Sequence, residues 1–93
     1  MEIKITHNDA KGSAFPDGKD GLAEMTFSLA GADMLIIDHT EVDDSLRGQG
    51  VGMKLLEKVI SFADESGRKI IPLCPYARAM FERNPELRKI LKQ

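Results

Sequence analysis

The stretch Leu-Arg-Gly-Gln-Gly-Val-Gly at residues 46–52 determines how the rest of the chain can fold. Three glycines at alternate positions follow an arginine, and an apolar helical pattern begins immediately after them. The apolar stripe consists of Val51, Leu55, Val59 and Phe62, with Leu56, Ile60 and Ala63 beside it. Glycine inside a helix costs roughly 1 kcal/mol relative to alanine, so these glycines are typical of a turn that leads into a helix. Gly67 then predicts the C-terminal end of that helix.

Strand patterns flank this turn and helix. Residues 34–42 begin as Met-Leu-Ile-Ile, which predicts a strand buried on both faces, and end in polar side chains. Residues 69–74 predict a second apolar strand after the helix. A strand, helix, strand order implies two parallel strands joined by a right-handed crossover. Pro75 suits the first turn of another helix, which Asn84-Pro85 ends.

The N-terminal part of the chain predicts antiparallel strands. Alternating apolar and polar residues at 1–6 and 23–29 indicate half-buried strands, and a shorter strand fits residues 12–15. The turn residues are Lys11-Gly12, Pro16-Asp17-Gly18, Asp20-Gly21 and Gly31-Ala32-Asp33. Short connections join neighbouring antiparallel strands. The predicted fold class is therefore α+β, a mostly antiparallel sheet with one parallel pair and two to three helices.

Composition limits the class of protein. The 93 residues, 42% of them hydrophobic, predict a single domain over residues 1–93. A net charge of -2, from 13 basic and 15 acidic residues, favours neither nucleic acid nor membrane as a partner. The longest apolar run, residues 34–37, is far shorter than the ~20 residues that span a bilayer. Because the N-terminus does not read as a signal peptide and Cys74 is the lone cysteine, we expect a cytoplasmic protein.

The glycine turn also carries a chemical prediction. The N-terminus of a helix offers free N–H groups and the positive end of the helix dipole, which suit a phosphate. Gly48, Gly50 and Gly52 have no side chains to keep a phosphate from the backbone amides, and Arg47 adds a positive charge. The alternative is a tight turn with a solvated arginine. The spacing matches neither a P-loop nor the G-x-G-x-x-G dinucleotide fingerprint.

The same stretch resembles the [Q/R]-x-x-G-x-[G/A] loop of the GNAT acetyltransferases, matched by Arg47, Gly50 and Gly52. The likeness extends over most of the chain through I-D-H-T-E-V at 37–42, I-I-P-L-C-P-Y-A at 70–77 and F-E-R-N-P-E at 81–86. Together these segments resemble the small single-domain (YjdJ-type) GNAT-like N-acetyltransferases. The resemblance implies a compact GNAT-like fold, a splayed parallel strand pair and acetyl-CoA as cosubstrate. The residues implied for its pyrophosphate are Arg47, Gly48, Gln49, Gly50, Val51 and Gly52.

The resemblance also implies where the rest of acetyl-CoA lies. In GNAT folds the pantetheine arm occupies the gap between the splayed strands. The residues expected to line it are Thr40, Glu41 and Val42 of the strand, and Tyr76, Ala77 and Phe81 of the next helix. His39 then lies beside the thioester, where it is a candidate proton relay; the alternative is a surface histidine. We predict no metal site.

The last helix departs from the larger GNAT enzymes at two positions. Their pattern N-x-x-A-x-x-x-Y, aligned on Ala77, places Cys74 at the asparagine and Phe81 at the tyrosine that serves as general acid. Phe81 cannot donate a proton. Cys74 lies at a predicted helix start, where the dipole stabilises a thiolate, a strong nucleophile toward thioesters. The alternative for Cys74 is a small buried hydrophobic residue.

Two mechanisms therefore remain open for an N-acetyltransferase: direct attack by an acceptor amine, with water or His39 taking its proton, and acetyl transfer through Cys74. The other interpretations are a non-catalytic acyl-CoA-binding or sensing module and a plain structural domain. Full-length GNAT folds wall the acceptor site with elements for which these 93 residues have no room. We therefore expect a bulky amine acceptor, such as a protein lysine or N-terminal amine, or else a homodimer that completes the wall.

Overall fold

The computed structural model describes residues 1–19 and 21–92. Its strands are β1 (Ile3–His7), β2 (Lys11–Pro16), β3 (Ala23–Ala30), β4 (Met34–Val42) and β5 (Lys69–Pro72). The helices are α1 (Val51–Glu65) and α2 (Pro75–Arg83), with 3₁₀ turns at Asp44–Leu46 and Pro85–Ile90. The strands form a sheet in the order β1-β2-β3-β4-β5, antiparallel except for the parallel pair of β4 and β5. The predicted α+β class is confirmed.

The first connection differs from the sequence prediction. Lys11-Gly12 does not form a turn but begins β2. The chain turns instead at Asn8, whose side-chain Oδ1 accepts hydrogen bonds from the N–H groups of Ala10 at 2.8 Å and Lys11 at 2.9 Å. Such side-chain bonds to the backbone two or three residues on replace a glycine in making a turn. Asp20 of the predicted Asp20-Gly21 turn lies outside the described residues.

Helix α1 covers one face of the sheet. Its residues Val51, Leu55, Leu56, Val59 and Ala63 are at most 2% exposed and pack with the fully buried Leu35, Ile37 and Ile70 of the parallel strands. The predicted stripe is confirmed in its centre, while Phe62 is only partly buried at its border. There the Phe62 ring lies 4.9 Å from the ring of His7 and 5.4 Å from that of Phe27.

The start of β4 is less buried than its sequence suggests. Met34 and Ile36 are only partly buried, whereas Leu35 and Ile37 are fully buried. The prediction of burial on both faces is therefore wrong, because the face of β4 opposite Leu35 and Ile37 stays partly open to solvent. Of the helices in residues 1–19 and 21–92, none has the length and apolar character needed to cross a membrane.

A β-bulge in β4 changes which side chains face α1. Thr26 pairs with His39 but its neighbour Phe27 pairs with Ile37, so Asp38 is the extra residue. One added residue exchanges the two faces of a strand from that point on. After the bulge, Thr40 therefore shares the face of the buried Ile37, and His39 points to the opposite face.

The two parallel strands separate after a short pairing. Their register runs from Met34 opposite Lys69 to Ile37 opposite Pro72. The N–H groups of Leu73 and Cys74 then both donate to the Ile37 carbonyl, at 3.1 and 3.2 Å. Beyond this point β4 continues to Val42 paired with β3, while the chain from Leu73 leads away into α2. The strand predicted over 69–74 thus ends at Pro72, and the predicted splayed pair is present.

Candidate active site

The glycine turn presents unpaired amides at the start of α1. Gly48 and Gly50 have φ angles of 84° and 68°, in the left-handed region that favours glycine. Gly50 is the N-cap of α1 and gives the helix no side-chain cap. The first hydrogen bond into α1 comes from the Lys54 N–H to the Gly50 carbonyl, at 3.1 Å. Within the described residues, the N–H groups of 51–53 have no acceptor, so they and the helix dipole can meet an anion.

The three glycines of the turn have different roles. A Cβ at Gly48 or Gly50 would meet no other atom within 4 Å, so these two residues are required by the backbone conformation. A Cβ at Gly52 would collide with the Tyr76 side chain, lying 2.6 Å from its ring atom Cζ. Gly52 therefore allows the Tyr76 ring of α2 to lie against the first turn of α1. The sequence interpretation assigned it to anion access alone, because the partner Tyr76 is remote in sequence.

Arg47 lies at the rim of the turn, as expected, but its charge is shared. Its Nη2 donates to Oδ1 of Asp44 at 2.7 Å, and the Arg47 side chain is 81% exposed. An exposed ion pair of this kind contributes little to stability and can exchange partners in water. Arg47 can therefore turn to an anionic ligand at small cost.

A cavity of about 430 Å³ joins the end of β4, the glycine turn and α2. The predicted site residues that line it are Thr40, Val42, Arg47, Gly48, Gly50, Val51, Gly52 and Tyr76. Six other predicted residues are not among its lining residues: His39, Glu41, Gln49, Cys74, Ala77 and Phe81. Ala77 and Phe81 are instead buried in the core, 0% and 2% exposed.

Sequence reasoning missed three lining residues, Leu46, Met53 and Met80. Met80 lies one helical turn after Tyr76, a spacing that puts both on one side of α2. That spacing was visible in the sequence. Leu46 and Met53 are recognisable only once the path of the turn is known.

Cys74 contacts Thr40 where β4 and β5 have parted. The thiol lies 3.4 Å from the Thr40 hydroxyl and accepts a hydrogen bond from the Ala77 N–H at 3.3 Å. Cys74 is the N-cap of α2 and is 5% exposed. This arrangement places a buried sulfur at the N-terminal end of α2, the positive end of its dipole.

His39 is not brought to Cys74. Its Nε2 lies 3.1 Å from Oε1 of Glu41, and both side chains are mostly exposed on the other face of β4. The resemblance implied that His39 lies beside the thioester as a candidate proton relay. The bulge at Asp38 instead puts Thr40 on the side of β4 that contacts Cys74 and His39 on the opposite side.

A second cleft, of about 610 Å³, meets the first at Thr40 and Val42. Its charged lining residues are Glu24, Glu41 and Asp43. Hydrogen bonds from Ser45, first its side chain and then its backbone N–H, hold the pKa of Asp43 below its ordinary value of 3.8. Asp43 is therefore a carboxylate at neutral pH. Across residues 1–19 and 21–92, no group of three or more His, Cys, Asp or Glu residues could hold a metal ion.

Comparison with known proteins identifies the family. A family model described as GCN5-related N-acetyl-transferase matches residues 13–90. The chain belongs to this family. A solution structure of a GCN5-like candidate N-acetyltransferase from Staphylococcus aureus is 36% identical and superposes with a TM-score of 0.71. That match covers 96% of this chain and 87% of the Staphylococcus protein. No curated protein matches this GNAT chain significantly.

More distant structures share the fold alone. A ribosomal-protein-alanine N-acetyltransferase from Brucella melitensis is 21% identical with a TM-score of 0.62, over 84% of this chain. This GNAT chain spans only 63% of the Brucella enzyme. An acetyltransferase that acts on nourseothricin is 26% identical with a TM-score of 0.54, and the match covers 48% of its length. The predicted small GNAT fold is thus confirmed.

Proposed function

We propose that the protein is an acetyl-CoA-dependent N-acetyltransferase that transfers the acetyl group to an amine. The observation that carries the proposal is one continuous cavity, which runs from the amides at the start of α1 to Thr40 beside Cys74. Enzymes of the family generally use acetyl-CoA, so membership supports this cosubstrate. A cytoplasmic location belongs to the proposal and is supported by the lone cysteine.

The turn fits the pyrophosphate of acetyl-CoA. The N–H groups of residues 51–53 have no acceptor within the described residues, and the open positions at Gly48 and Gly50 leave them accessible. Arg47 stands beside them with an exposed guanidinium. The pantetheine arm would follow the edge of β4 at Thr40–Val42, where β5 no longer pairs with it.

Acetyl transfer through Cys74 is the first of two mechanisms. The thiolate would attack the thioester carbonyl, forming a bond from Sγ to the acetyl carbon and breaking the bond to the CoA sulfur, which takes up a proton. The acceptor amine would then attack the acetyl carbon, forming the N–C bond and breaking the bond to Sγ; the amine loses a proton to water, and the Cys74 thiolate is restored. The Ala77 N–H at 3.3 Å and the α2 dipole support this route by stabilising the thiolate.

Direct attack by the amine is the second mechanism. Here Cys74 and Thr40 would position the thioester, and water would take the amine proton, because His39 faces the other side of β4. The test is acetyl transfer by the wild type, Cys74→Ala and Cys74→Ser, with mass spectrometry of the protein after acetyl-CoA alone. A retained acetyl group on the wild type and inactive variants would support transfer through Cys74. Active variants would support direct attack.

The second cleft supports a bulky, cationic acceptor. It meets the cosubstrate cavity at Thr40, and its carboxylates Glu24, Glu41 and Asp43 suit an ammonium group. A lysine or N-terminal amine of a protein is the simplest acceptor of this kind, and a homodimer that walls the cleft is the alternative. Comparing acetylation of a basic peptide with that of a free small amine would test this acceptor class. Tight, saturable use of the small amine by a monomer would contradict it.

A non-catalytic acyl-CoA-binding module is the second candidate. The observation in its favour is Phe81, buried to 2% exposure at the position of the tyrosine in larger GNAT enzymes. A thermal-shift screen with acetyl-CoA, CoA and NAD comes first, since a ligand at 100 times its Kd stabilises by about 2.7 kcal/mol. Stabilisation by CoA without acetyl transfer to any amine would favour the binding module. No stabilisation by either CoA species would refute both candidates.

A further inference from the structure

Tyr76 at the start of α2 contacts Gly52 at the start of α1. Gly50 is the N-cap of α1 and Cys74 that of α2, so Gly52 and Tyr76 are each the second residue of their helix. A Cβ at position 52 would collide with the Tyr76 hydroxyl and lie 2.6 Å from Cζ and 3.0 Å from Cε2. The end of the phenol therefore occupies space that only a glycine at position 52 leaves free.

This contact puts the Tyr76 hydroxyl at the rim of the unpaired amides. Side-chain bonds of a helix tilt toward its N-terminus. The hydroxyl lies where the Gly52 Cβ would be, and so on the side of the first-turn N–H groups. The Tyr76 side chain also lines the cosubstrate cavity, and the residue is 39% exposed. None of the side-chain hydrogen bonds formed among the described residues involves this hydroxyl.

We propose that Tyr76 is a positioning residue for the cosubstrate. Its hydroxyl donates a hydrogen bond to a pyrophosphate oxygen that lies on the first-turn amides of α1, and the missing side chain of Gly52 lets it reach that place. The inference rests on the proposed function, because it assigns one contact within the acetyl-CoA site. A hydrogen bond to a charged oxygen changes affinity by about tenfold or more.

The direct test is Tyr76→Phe, which keeps the ring against Gly52 and removes only the hydroxyl. Isothermal titration calorimetry would use CoA and 3′-phosphoadenosine 5′-diphosphate, the half of CoA that carries the pyrophosphate without the pantetheine. We expect both Kd values to rise about tenfold, with the melting temperature unchanged. An unchanged Kd for both probes, or a rise for CoA alone, would overturn the inference and leave the proposed function intact. Failure of the wild type to bind either probe would refute the proposed function itself.

A second test examines the contact between Gly52 and the Tyr76 ring without removing the hydroxyl alone. Gly52→Ala should displace the ring in the wild type, weakening both probes about tenfold and lowering the melting temperature. In a Tyr76→Ala background the same change has room and should raise the melting temperature, since alanine is the better helix former. Equal effects of Gly52→Ala in the two backgrounds would overturn the inference.

The chain has one tyrosine, which gives a third readout. In protein labelled with ¹³C-tyrosine, the ring signal belongs to Tyr76 alone. Addition of 3′-phosphoadenosine 5′-diphosphate should shift this signal, and the shift should be absent in Gly50→Val. A signal that does not move while the probe binds would contradict the contact.

Discussion

Replacing Gly50 by valine separates the proposed anion-binding role of the turn from its role in folding. Gly50 has a φ of 68°, lines the cavity proposed for acetyl-CoA, and has open space where a side chain would project. A β-branched residue in this conformation costs about 1–2 kcal/mol of folding free energy, which lowers the melting temperature by roughly 4–16 °C. The valine methyl groups would also stand over the first-turn amides. Losing even one hydrogen bond to a charged phosphate weakens binding by about ten- to a hundredfold.

The matched control is Gly67→Val at the other end of the same helix. Gly67 has a φ of 73° and equally open space at its Cβ position. It lies beyond a helix of 15 residues, roughly 22 Å long, and so far from the turn. Melting curves and calorimetric titration with CoA should show similar melting temperatures for the two variants but weak binding only for Gly50→Val. Equal CoA affinity of the two variants would refute the proposal that the pyrophosphate binds the N–H groups of residues 51–53.

Three further results are expected. Iodoacetamide should alkylate Cys74 faster at pH 7 than it alkylates free cysteine, and bound CoA should slow the reaction. Slow alkylation that CoA does not change would indicate that Cys74 is only a buried residue of the core. Leu55→Ala should lower the free energy of unfolding, measured with denaturant, by about 2–5 kcal/mol, because Leu55 is fully buried. The control Leu73→Ala changes a residue that is 59% exposed, and its free energy of unfolding should stay within about 0.5 kcal/mol of the wild type. Asp43→Asn should lower the unfolding midpoint at pH 7. The difference should vanish in acid, because a carboxylate with a lowered pKa stabilises the fold above its ordinary pKa of 3.8 and loses that effect as the pH falls through its folded value.

Local sequence patterns predicted most of the fold. The strand predicted over residues 34–42, from an apolar run followed by polar residues, matches the bounds of β4 at both ends. Gly50 and Gly67 bracket α1 because each holds a left-handed conformation at a helix end. The parallel pairing of β4 and β5 follows from the crossover through α1. These features depend on neighbours in sequence, and for that reason they could be predicted.

The site was less accessible to prediction because its contacts join residues remote in sequence. The role of Gly52 depends on Tyr76, which is 24 positions away along the chain. The position of Phe81 in the core rather than in the cavity depends on how α2 packs. The Arg47–Asp44 pair, in contrast, joins residues only three positions apart. It was not predicted, although this spacing could have suggested it.

Among the features that the sequence did not reveal, the bulge at Asp38 has the largest consequence for the chemistry of the site. In a regular strand His39 would share the face of Cys74, and the thiol would have a base beside it. The extra residue gives Cys74 the Thr40 hydroxyl instead, at 3.4 Å, and leaves His39 with Glu41 in solvent. A hydroxyl can share a hydrogen bond with sulfur but does not take its proton at neutral pH. In the proposed transfer through Cys74, the thiolate must therefore be stabilised by the backbone, through the Ala77 N–H and the α2 dipole, and the proton must leave to water. Reactivity then resides in the N-terminus of α2 rather than in a side-chain base, so replacing His39 should leave acetyl transfer unchanged.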